Sequence, residues 1–311
     1  MIAEKTYFLP TSLNEAIGLA TSNLGSFKYL AGGTDVLVNK FQGIENATCL
    51  IDITKIKELK GISIAGDYLR IGALEILEDL KNNEILNAEY PMLIQAAMAV
   101  GSPLIRKTGT IGGNVLCENR CLFFNQSEWW RESVGFCLKC EGDICIATQG
   151  KKVCYSELVS DTAPALIAMD ALIELSDVNG TRTAPLESIY TGDGIHPRNV
   201  SETAIVTAIL LPRNREFKAD FHKLRERQSL EFTSLTCAVA IDKNGKLKIA
   251  LSGVDPKPVV VEGSIEDDTE AMIKKAIKGS RAIDNDMYSR NYRREMITVY
   301  LKRSFKTLHI T

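Results

Sequence analysis

Six of the eight cysteines lie within 38 residues, at Cys117, Cys121, Cys137, Cys140, Cys145 and Cys154, and this window constrains the fold of the 311-residue chain more than any other feature. Residues 115–156 carry few periodic apolar positions and both tryptophans, Trp129 and Trp130, so they cannot build a core of their own. A structureless stretch of that length is rare inside a compact domain. The opening residues, MIAEKTYFLP, contain no apolar run of signal-peptide type. No segment is long and apolar enough to span a bilayer as a helix. A cytoplasmic chain without membrane contact is expected, and such a chain keeps its thiols reduced. Clustered reduced thiols point to metal, so the window reads as an inserted loop ordered by a metal. The tryptophans are expected to pack that loop.

Spacing bears on which metal. Zinc sites usually pair two Cys-x-x-Cys knuckles. Only Cys137-Leu138-Lys139-Cys140 has that form here. Irregularly spaced thiols suit a cubane iron–sulfur cluster, whose four ligands need no knuckle. On spacing, iron–sulfur leads, with zinc and unmetallated thiols as the alternatives.

A second pattern is a repeated glycine pair, in Ala31-Gly32-Gly33-Thr34 and Ile111-Gly112-Gly113-Asn114. Paired glycines allow close backbone approach to a ligand and can turn successive N–H groups inward as an anion nest. Thr34, Thr110 and Asn114 could add side-chain hydrogen bonds. Two such loops could grip a pyrophosphate from both sides; the plainer reading is two tight turns. Neither a G-x-G-x-x-G nor a G-x-x-x-x-G-K-[ST] signature occurs. The three histidines are scattered and no catalytic triad is legible, so no residue is assigned a catalytic role. With 37 basic against 39 acidic residues the chain lacks the positive surface that nucleic acid binding needs.

The remaining pattern is mixed. Ser12 with Glu15 three residues on is a capping box for a helix over 12–24. Strands are expected at 27–31, 49–53 and 68–71, and a helix at 91–100 opened by Pro91. Residues 161–175 read as helix then strand. Polar residues at 212–218 suggest a boundary. Beyond it come strands at 221–227, 236–241 and 247–252, with a type I′ hairpin signal at Asn244-Gly245. Helices follow at 268–279 and 289–307. The expected class is α+β. Residues 1–213 form one region, with the insert at about 115–156. Residues 214–311 form a small domain with a three-stranded antiparallel sheet and helices.

The segments YLAGGTDVLV, IRKTGTIGGN and SDTAPALIAMDALIEL, with HKLRERQ, LSGVDPKPV and NYRREMITVYLKRSF further on, resemble the FAD-binding medium subunit of the xanthine dehydrogenase and carbon monoxide dehydrogenase family. The resemblance covers essentially the whole chain. It implies a two-part FAD-binding α/β region, of the type found in molybdopterin dehydrogenase flavin subunits, followed by the small domain. By resemblance, Tyr29, Leu30, Ala31, Gly32, Gly33, Thr34, Asp35 and Val36, together with Thr110, Ile111, Gly112, Gly113 and Asn114, hold FAD. Asp161 matches a position contacting the cofactor's polar chain, and Lys223 a basic residue near the flavin.

In ordinary family members the second glycine loop is followed within about a dozen residues by the Asp-x-x-Pro-Ala-Leu helix. Here 46 residues separate Asn114 from Asp161. The extra segment resembles the one in β subunits of 4-hydroxybenzoyl-CoA reductases, which carries a [4Fe–4S] cluster. That likeness implies Cys121, Cys137, Cys145 and Cys154 as its ligands, with Cys117 and Cys140 as bystanders. It further implies a molybdopterin-binding large subunit and a [2Fe–2S] small subunit as partners, and ferredoxin as electron donor. The chemistry would lie in the partner: reductive removal of the ring hydroxyl of an aromatic acyl-CoA. A flavin subunit of another molybdenum hydroxylase is the alternative.

Overall fold

In the computed structural model, residues 5–310 are described; residues 1–4, part of the N-terminal stretch read above for a leader, and residue 311 lie outside it. Three sheets are laid down in chain order. The first is parallel, with β1 (Thr6–Phe8), β2 (Phe27–Leu30) and β3 (Cys49–Asp52) in the order β1-β3-β2. The second is antiparallel, with β4 (Ile62–Ala65), β5 (Tyr68–Gly72), β6 (Leu172–Asp177), β7 (Gly180–Pro185) and β8 (Ile205–Pro212) in the order β4-β5-β8-β6-β7. The third is antiparallel, with β9 (Phe217–Leu224), β10 (Leu235–Asp242), β11 (Lys246–Ser252) and β12 (Val259–Ser264) in the order β12-β11-β10-β9.

Helix Leu13–Ser22 is capped as its sequence implies, with Ser12 Oγ accepting from the Glu15 N–H at 3.3 Å. Glu15 reaches back one residue further than a capping box requires, to the Thr11 N–H at 2.8 Å. Its Ala16, Ile17 and Ala20 close over β2 and β3, burying Cys49 in a small core.

Helix Thr162–Ala168 is buried along its whole length. It packs on β10 and β11, where Ala238, Ala240 and Ala250 present methyl groups to it. Small residues on both sides let helix and sheet approach closely, as close packing of an interior demands. The opposite face of β10 carries Leu235, Cys237, Val239 and Ile241 against the terminal helices Thr269–Gly279 and Arg290–Thr307. The period of two along β10 thus divides two cores.

The third sheet has four strands, not three. Residues 259–264 pair with β11, and the motif LSGVDPKPV masked this strand behind its prolines. The hairpin at Asn244-Gly245 also differs from expectation. Gly245 has φ +79° while Asn244 does not have positive φ, and three residues separate the strands. A type I′ turn needs positive φ at both central residues, so this is the three-residue form with glycine in the left-handed position.

The insert is more ordered than a bare loop. Arg120 and Glu157 exchange backbone hydrogen bonds of 2.9 and 2.7 Å and close its base. Between them lies helix Glu128–Val134, capped by Ser127. Trp129 is 73% exposed and does not pack the loop; Phe124 and Arg131 are buried there together with Cys137, Cys145 and Cys154. Arg131 donates to the carbonyls of Gln42 at 3.1 Å and Gly43 at 3.0 Å, clamping the insert to the end of helix Val36–Phe41.

Candidate functional site

A cleft of about 620 Å³ runs along the edge of β2, the loop that follows it, the segment 109–114 and part of β8. Its size is that of an organic ligand site. Tyr29, Ala31, Gly32, Gly33, Thr34, Asp35, Val36, Thr110, Gly112, Gly113, Asn114 and Asp161 all line it. Leu30, Ile111 and Lys223, also expected here, do not. Ile111 is wholly buried in the core beneath.

The two glycine pairs turn out to divide their work. In each, one glycine serves packing. A Cβ on Gly32 would stand 1.8 Å from the Thr108 carbonyl oxygen, and one on Gly112 would stand 2.8 Å from the Ala73 carbonyl oxygen. The second glycine of each pair is placed differently. Gly33 has φ +72°, which only glycine adopts without strain. A Cβ on Gly113 would meet only Thr110 Oγ1, at 3.0 Å.

Their hydrogen bonding is unequal as well. Among the described residues the N–H groups of Gly33, Thr34 and Asp35 have no acceptor, so the first loop offers a set of free donors. The second loop has spent its own. Ile111 N donates to Glu75 O at 2.9 Å, Gly112 N to Ala73 O at 2.9 Å, Gly113 N to Thr110 Oγ1 at 3.1 Å and Asn114 N to Thr110 O at 2.9 Å. The expectation of two equivalent anion nests is therefore corrected: the first loop keeps free backbone donors, and the second, with its N–H groups spent, is a braced wall. Asn114 Oδ1 accepts from Ser160 Oγ at 2.8 Å, Thr162 Oγ1 at 2.6 Å and Thr162 N at 3.2 Å. Only its Nδ2 remains for a ligand.

Lys223 is one layer behind the cleft. Its ammonium donates to Asp161 Oδ2 at 2.6 Å, Ala99 O at 2.9 Å and Glu231 O at 3.1 Å, which uses all three of its protons. Asp161 Oδ1 accepts from Thr236 Oγ1 at 3.0 Å. Burial pushes the Asp161 carboxyl above its usual range, and the adjacent Lys223 pulls against that. Lys223 thus acts on the cleft through Asp161 and the Glu231 backbone, both of which line it.

The family defined as the FAD binding domain in molybdopterin dehydrogenase matches residues 3–214. The chain belongs to this family. It is 30% identical over 262 residues to the aldehyde oxidoreductase FAD-binding subunit PaoB of Escherichia coli strain K12, covering 79% of this chain and 80% of that one. It is 29% identical over 242 residues to the nicotinate dehydrogenase FAD-subunit of Eubacterium barkeri, covering 76% and 68%. Among solved structures, the carbon monoxide dehydrogenase of Hydrogenophaga pseudoflava superposes with a TM-score of 0.73 at 23% identity over 98% of each chain. The fold is that of the medium, FAD-binding subunit of carbon monoxide dehydrogenase-type molybdenum enzymes, and the matched family is one that binds FAD. The free donors of the Gly33–Asp35 segment and the side-chain-free floor at Gly113 suit its pyrophosphate.

The insert of this flavin subunit is tied to the first glycine loop. Asp35 accepts from the Glu118 N–H at 3.0 Å and forms an ion pair with Arg120, whose other arm reaches Asn39 Oδ1 at 2.9 Å. Burial pulls the Arg120 guanidinium down to about 10. Beside this anchor is a small cavity of about 20 Å³, lined by Cys121, Cys137, Cys145 and Cys154. Cys140 does not line it, and Cys117 lines the flavin cleft. Gly194 abuts it, where a Cβ would stand 2.7 Å from Cys154 Sγ. Among the described residues no group of three or more His, Cys, Asp or Glu side chains is placed to hold a metal ion, and this applies to the four expected cluster ligands as well as to the Cys137–Cys140 knuckle.

Burial pushes the thiols of Cys121 and Cys117 up to about 12 and raises that of Cys154. A hydrogen bond from Cys140 brings Cys137 down to about 6.

Two residues line both the cysteine cavity and the flavin cleft: Phe124 and Lys139. Lys139 is nearly buried, with its ammonium 5.1 Å from the centre of the Phe124 ring. It donates to Glu118 Oε1 at 2.5 Å and Gly194 O at 2.6 Å. Burial alone would raise the Glu118 carboxyl, but Lys139 and then Arg198 outweigh it and hold the group below its usual range. Sequence reasoning missed Phe124, Lys139 and Gly194. Lys139 had only one signal, its place inside the knuckle, and nothing in the sequence says that this lysine is turned inward.

Proposed function

We propose that this chain is the electron-transfer flavin and iron–sulfur subunit of a molybdenum enzyme of the 4-hydroxybenzoyl-CoA reductase type. On this reading residues 1–213 are its flavin-binding domain, with the insert at about 115–156, and 214–311 its C-terminal domain. Gly32, Gly33, Thr34 and Asp35 hold the FAD pyrophosphate from one side. Thr110, Gly113 and Asn114 wall the other side, with Tyr29, Ala31, Val36, Gly112 and Asp161 along the cleft. Cys121, Cys137, Cys145 and Cys154 hold a [4Fe–4S] cluster.

The observation that carries the reading is the shared wall: four cysteines, all thiols and nothing else that binds iron, surround one cavity whose Phe124 and Lys139 also line the flavin cleft. A cubane takes four thiolates and spreads them around four irons, further apart than the ligands of a single ion. Iron binding deprotonates the buried thiols. Bound FAD can take electrons singly or in pairs, so it can join one-electron carriers to a two-electron site.

The chain's own residues position and insulate. Lys139 places a fixed positive charge between the two sites, and Phe124 keeps water out of the wall between them. Partners are a molybdopterin-binding large subunit and a [2Fe–2S] small subunit, with ferredoxin as donor, in a cytoplasmic assembly. No helix among the described residues is long and apolar enough to cross a membrane. The overall reaction is removal of the ring hydroxyl of 4-hydroxybenzoyl-CoA, giving benzoyl-CoA and water at the partner's molybdenum site.

A second reading is favoured by the relatives, whose names specify an aldehyde and nicotinate as substrates. On that reading the complex oxidises an aldehyde or a heterocycle. The deciding experiment uses the anaerobically purified complex. The first reading expects about four irons on this subunit beside one FAD, and conversion of 4-hydroxybenzoyl-CoA with reduced ferredoxin. Iron present with turnover only of aldehydes or nicotinate would replace the substrate assignment. Flavin without iron on this subunit would overturn the cluster.

A further inference from the structure

The cysteine cavity has an outer wall as well as an inner one. Tyr155 and Ile283 line both this cavity and an open concavity of about 680 Å³ on the molecular surface. The concavity is bordered by Lys151, Lys152, Arg281, Arg290 and Arg294, and no Asp or Glu lines it. Two of these cations are partly neutralised. Arg281 grips the buried Asp255 through two contacts of 2.6 and 2.8 Å, and Arg290 stands 3.5 Å from exposed Asp284. Lys151, Lys152 and Arg294 are exposed and have no ion-pair partner among the described residues. The positive charge is local, because the whole chain has a formal charge of −2. The backbone here runs from the basic rim at Lys151 and Lys152 directly to Cys154 and Tyr155. The Arg281 guanidinium, fixed by Asp255, sits 5.8 Å from the Tyr155 ring centre and holds that ring in the wall.

We infer that this basic concavity is the docking face for an acidic one-electron carrier protein that delivers electrons to the cysteine cavity through the Tyr155–Ile283 wall. The inference rests on the cluster reading above. Three features favour a protein carrier over a small anion. Five cations border one open concavity of about 680 Å³, and only Arg281 among them is held by a buried carboxylate. Their long, exposed side chains suit a screened, transient contact. The concavity also shares Tyr155 and Ile283 with the cysteine cavity, residues distinct from the Phe124 and Lys139 that the cavity shares with the flavin cleft. Electron transfer weakens steeply with distance, so a carrier is useful only where the receiving centre comes nearest the surface. Opposite charge raises the encounter rate and falls away with salt, whereas short-range packing does not. The step balances simply: one electron leaves the reduced carrier, one arrives on the cluster, and no bond forms or breaks.

The test uses the intact purified complex with its cofactors, mixed rapidly with a reduced, strongly acidic 2[4Fe–4S] ferredoxin. In the unaltered protein the second-order rate should fall steeply as salt rises. The double variant Lys151→Glu, Lys152→Glu, and separately Arg294→Glu, should lower the low-salt rate tenfold or more and flatten its salt dependence. Iron and flavin contents should match the unaltered protein. Reduction by a reduced viologen, a small cation, should not slow in the variants. Iron and flavin present with an unchanged ferredoxin rate overturns the docking face alone. Absence of iron from the unaltered subunit overturns the cluster reading, and the docking face with it. Binding of a coenzyme A thioester lost in the variants, with the ferredoxin rate unchanged, reassigns the face to a small anion and also overturns the proposal.

Discussion

Gly32→Ala and Gly113→Ala add the same methyl group to the two glycine loops and should have opposite consequences. At Gly32 the new Cβ would lie 1.8 Å from the Thr108 oxygen and 2.6 Å from its carbonyl carbon. Ordinary contact begins at 3.4 Å, so the two segments must part by 1.6 Å. The obstacle is backbone and cannot rotate away. Gly32 does not have positive φ, so steric conflict is the whole penalty. Overpacking of this kind costs about 1–3 kcal/mol. For a unit of this size each kcal/mol lowers Tm by about 2–4 °C, so a loss of about 2–12 °C is expected. The parted loops would also disorganise the first loop's donors and lose flavin. At Gly113 the methyl meets only Thr110 Oγ1 at 3.0 Å, inside the short helix Ile111–Val115. Alanine is favoured over glycine in a helix by about 0.5–1 kcal/mol, so Tm should hold or rise. The methyl nevertheless stands in the cleft, and FAD affinity should fall about tenfold, equivalent to about 1.4 kcal/mol. Thermal melts of flavin-stripped protein followed by circular dichroism, with FAD titrated by fluorescence, separate the two effects. A Gly32→Ala protein that melts with the unaltered one and binds FAD equally would refute the reasoning.

The remaining predictions concern the insert and the buried ion pairs. Cys145→Ser should remove most of the iron while Cys140→Ser leaves it nearly unchanged, by colorimetric assay; the reverse pattern would discard the ligand set. Lys139→Met should lower the flavin midpoint potential, because a buried positive charge stabilises the reduced form, and Lys139→Arg should restore it; an unchanged potential in the Met variant would remove Lys139 from that role. Lys223→Met leaves Asp161 buried without its cation and should destabilise the fold by about 3–5 kcal/mol, measured by urea unfolding, whereas Asp161→Asn with Lys223→Met together should recover part of the loss. Glu157 lies wholly buried against Arg293 and burial pushes its carboxyl from 4.5 up to about 8. A raised folded-state pKa means that the native state holds the proton more tightly. Its contribution is therefore full below pH 4.5 and is lost as pH rises through about 8. The fall in Tm across that window should flatten in Glu157→Gln, and an identical pH profile would show that Glu157 does not titrate there.

Local rules alone determined much of this protein. Ser12 and Glu15 placed the first helix, Pro91 opened the helix Pro91–Ala99, and the glycine pairs marked both walls of the cleft, because caps, proline and glycine act through bonds to near neighbours. The cysteine window and its 46-residue interval marked the insert for the same reason: spacing is a property of the chain. What the two loops do was decided only by tertiary contact. Both read Gly-Gly, yet one loop keeps its N–H groups free, while in the other the segment after β5 takes those of Ile111 and Gly112 at Glu75 and Ala73, and Thr110 takes the rest. The segment after β5 lies over thirty residues away in sequence. Lys223 and Lys139 show the same limit. Each is a lysine on a polar stretch, where exposure is the expectation. Each is buried because carboxylate and carbonyl oxygens from distant segments converge on its ammonium. All four of the cavity's thiols lie in the insert, which Arg120, Arg131 and Glu157 hold in place. Closure of a loop over such spans depends on anchors elsewhere in the fold, and the sequence records the ends of a loop but not what holds them together.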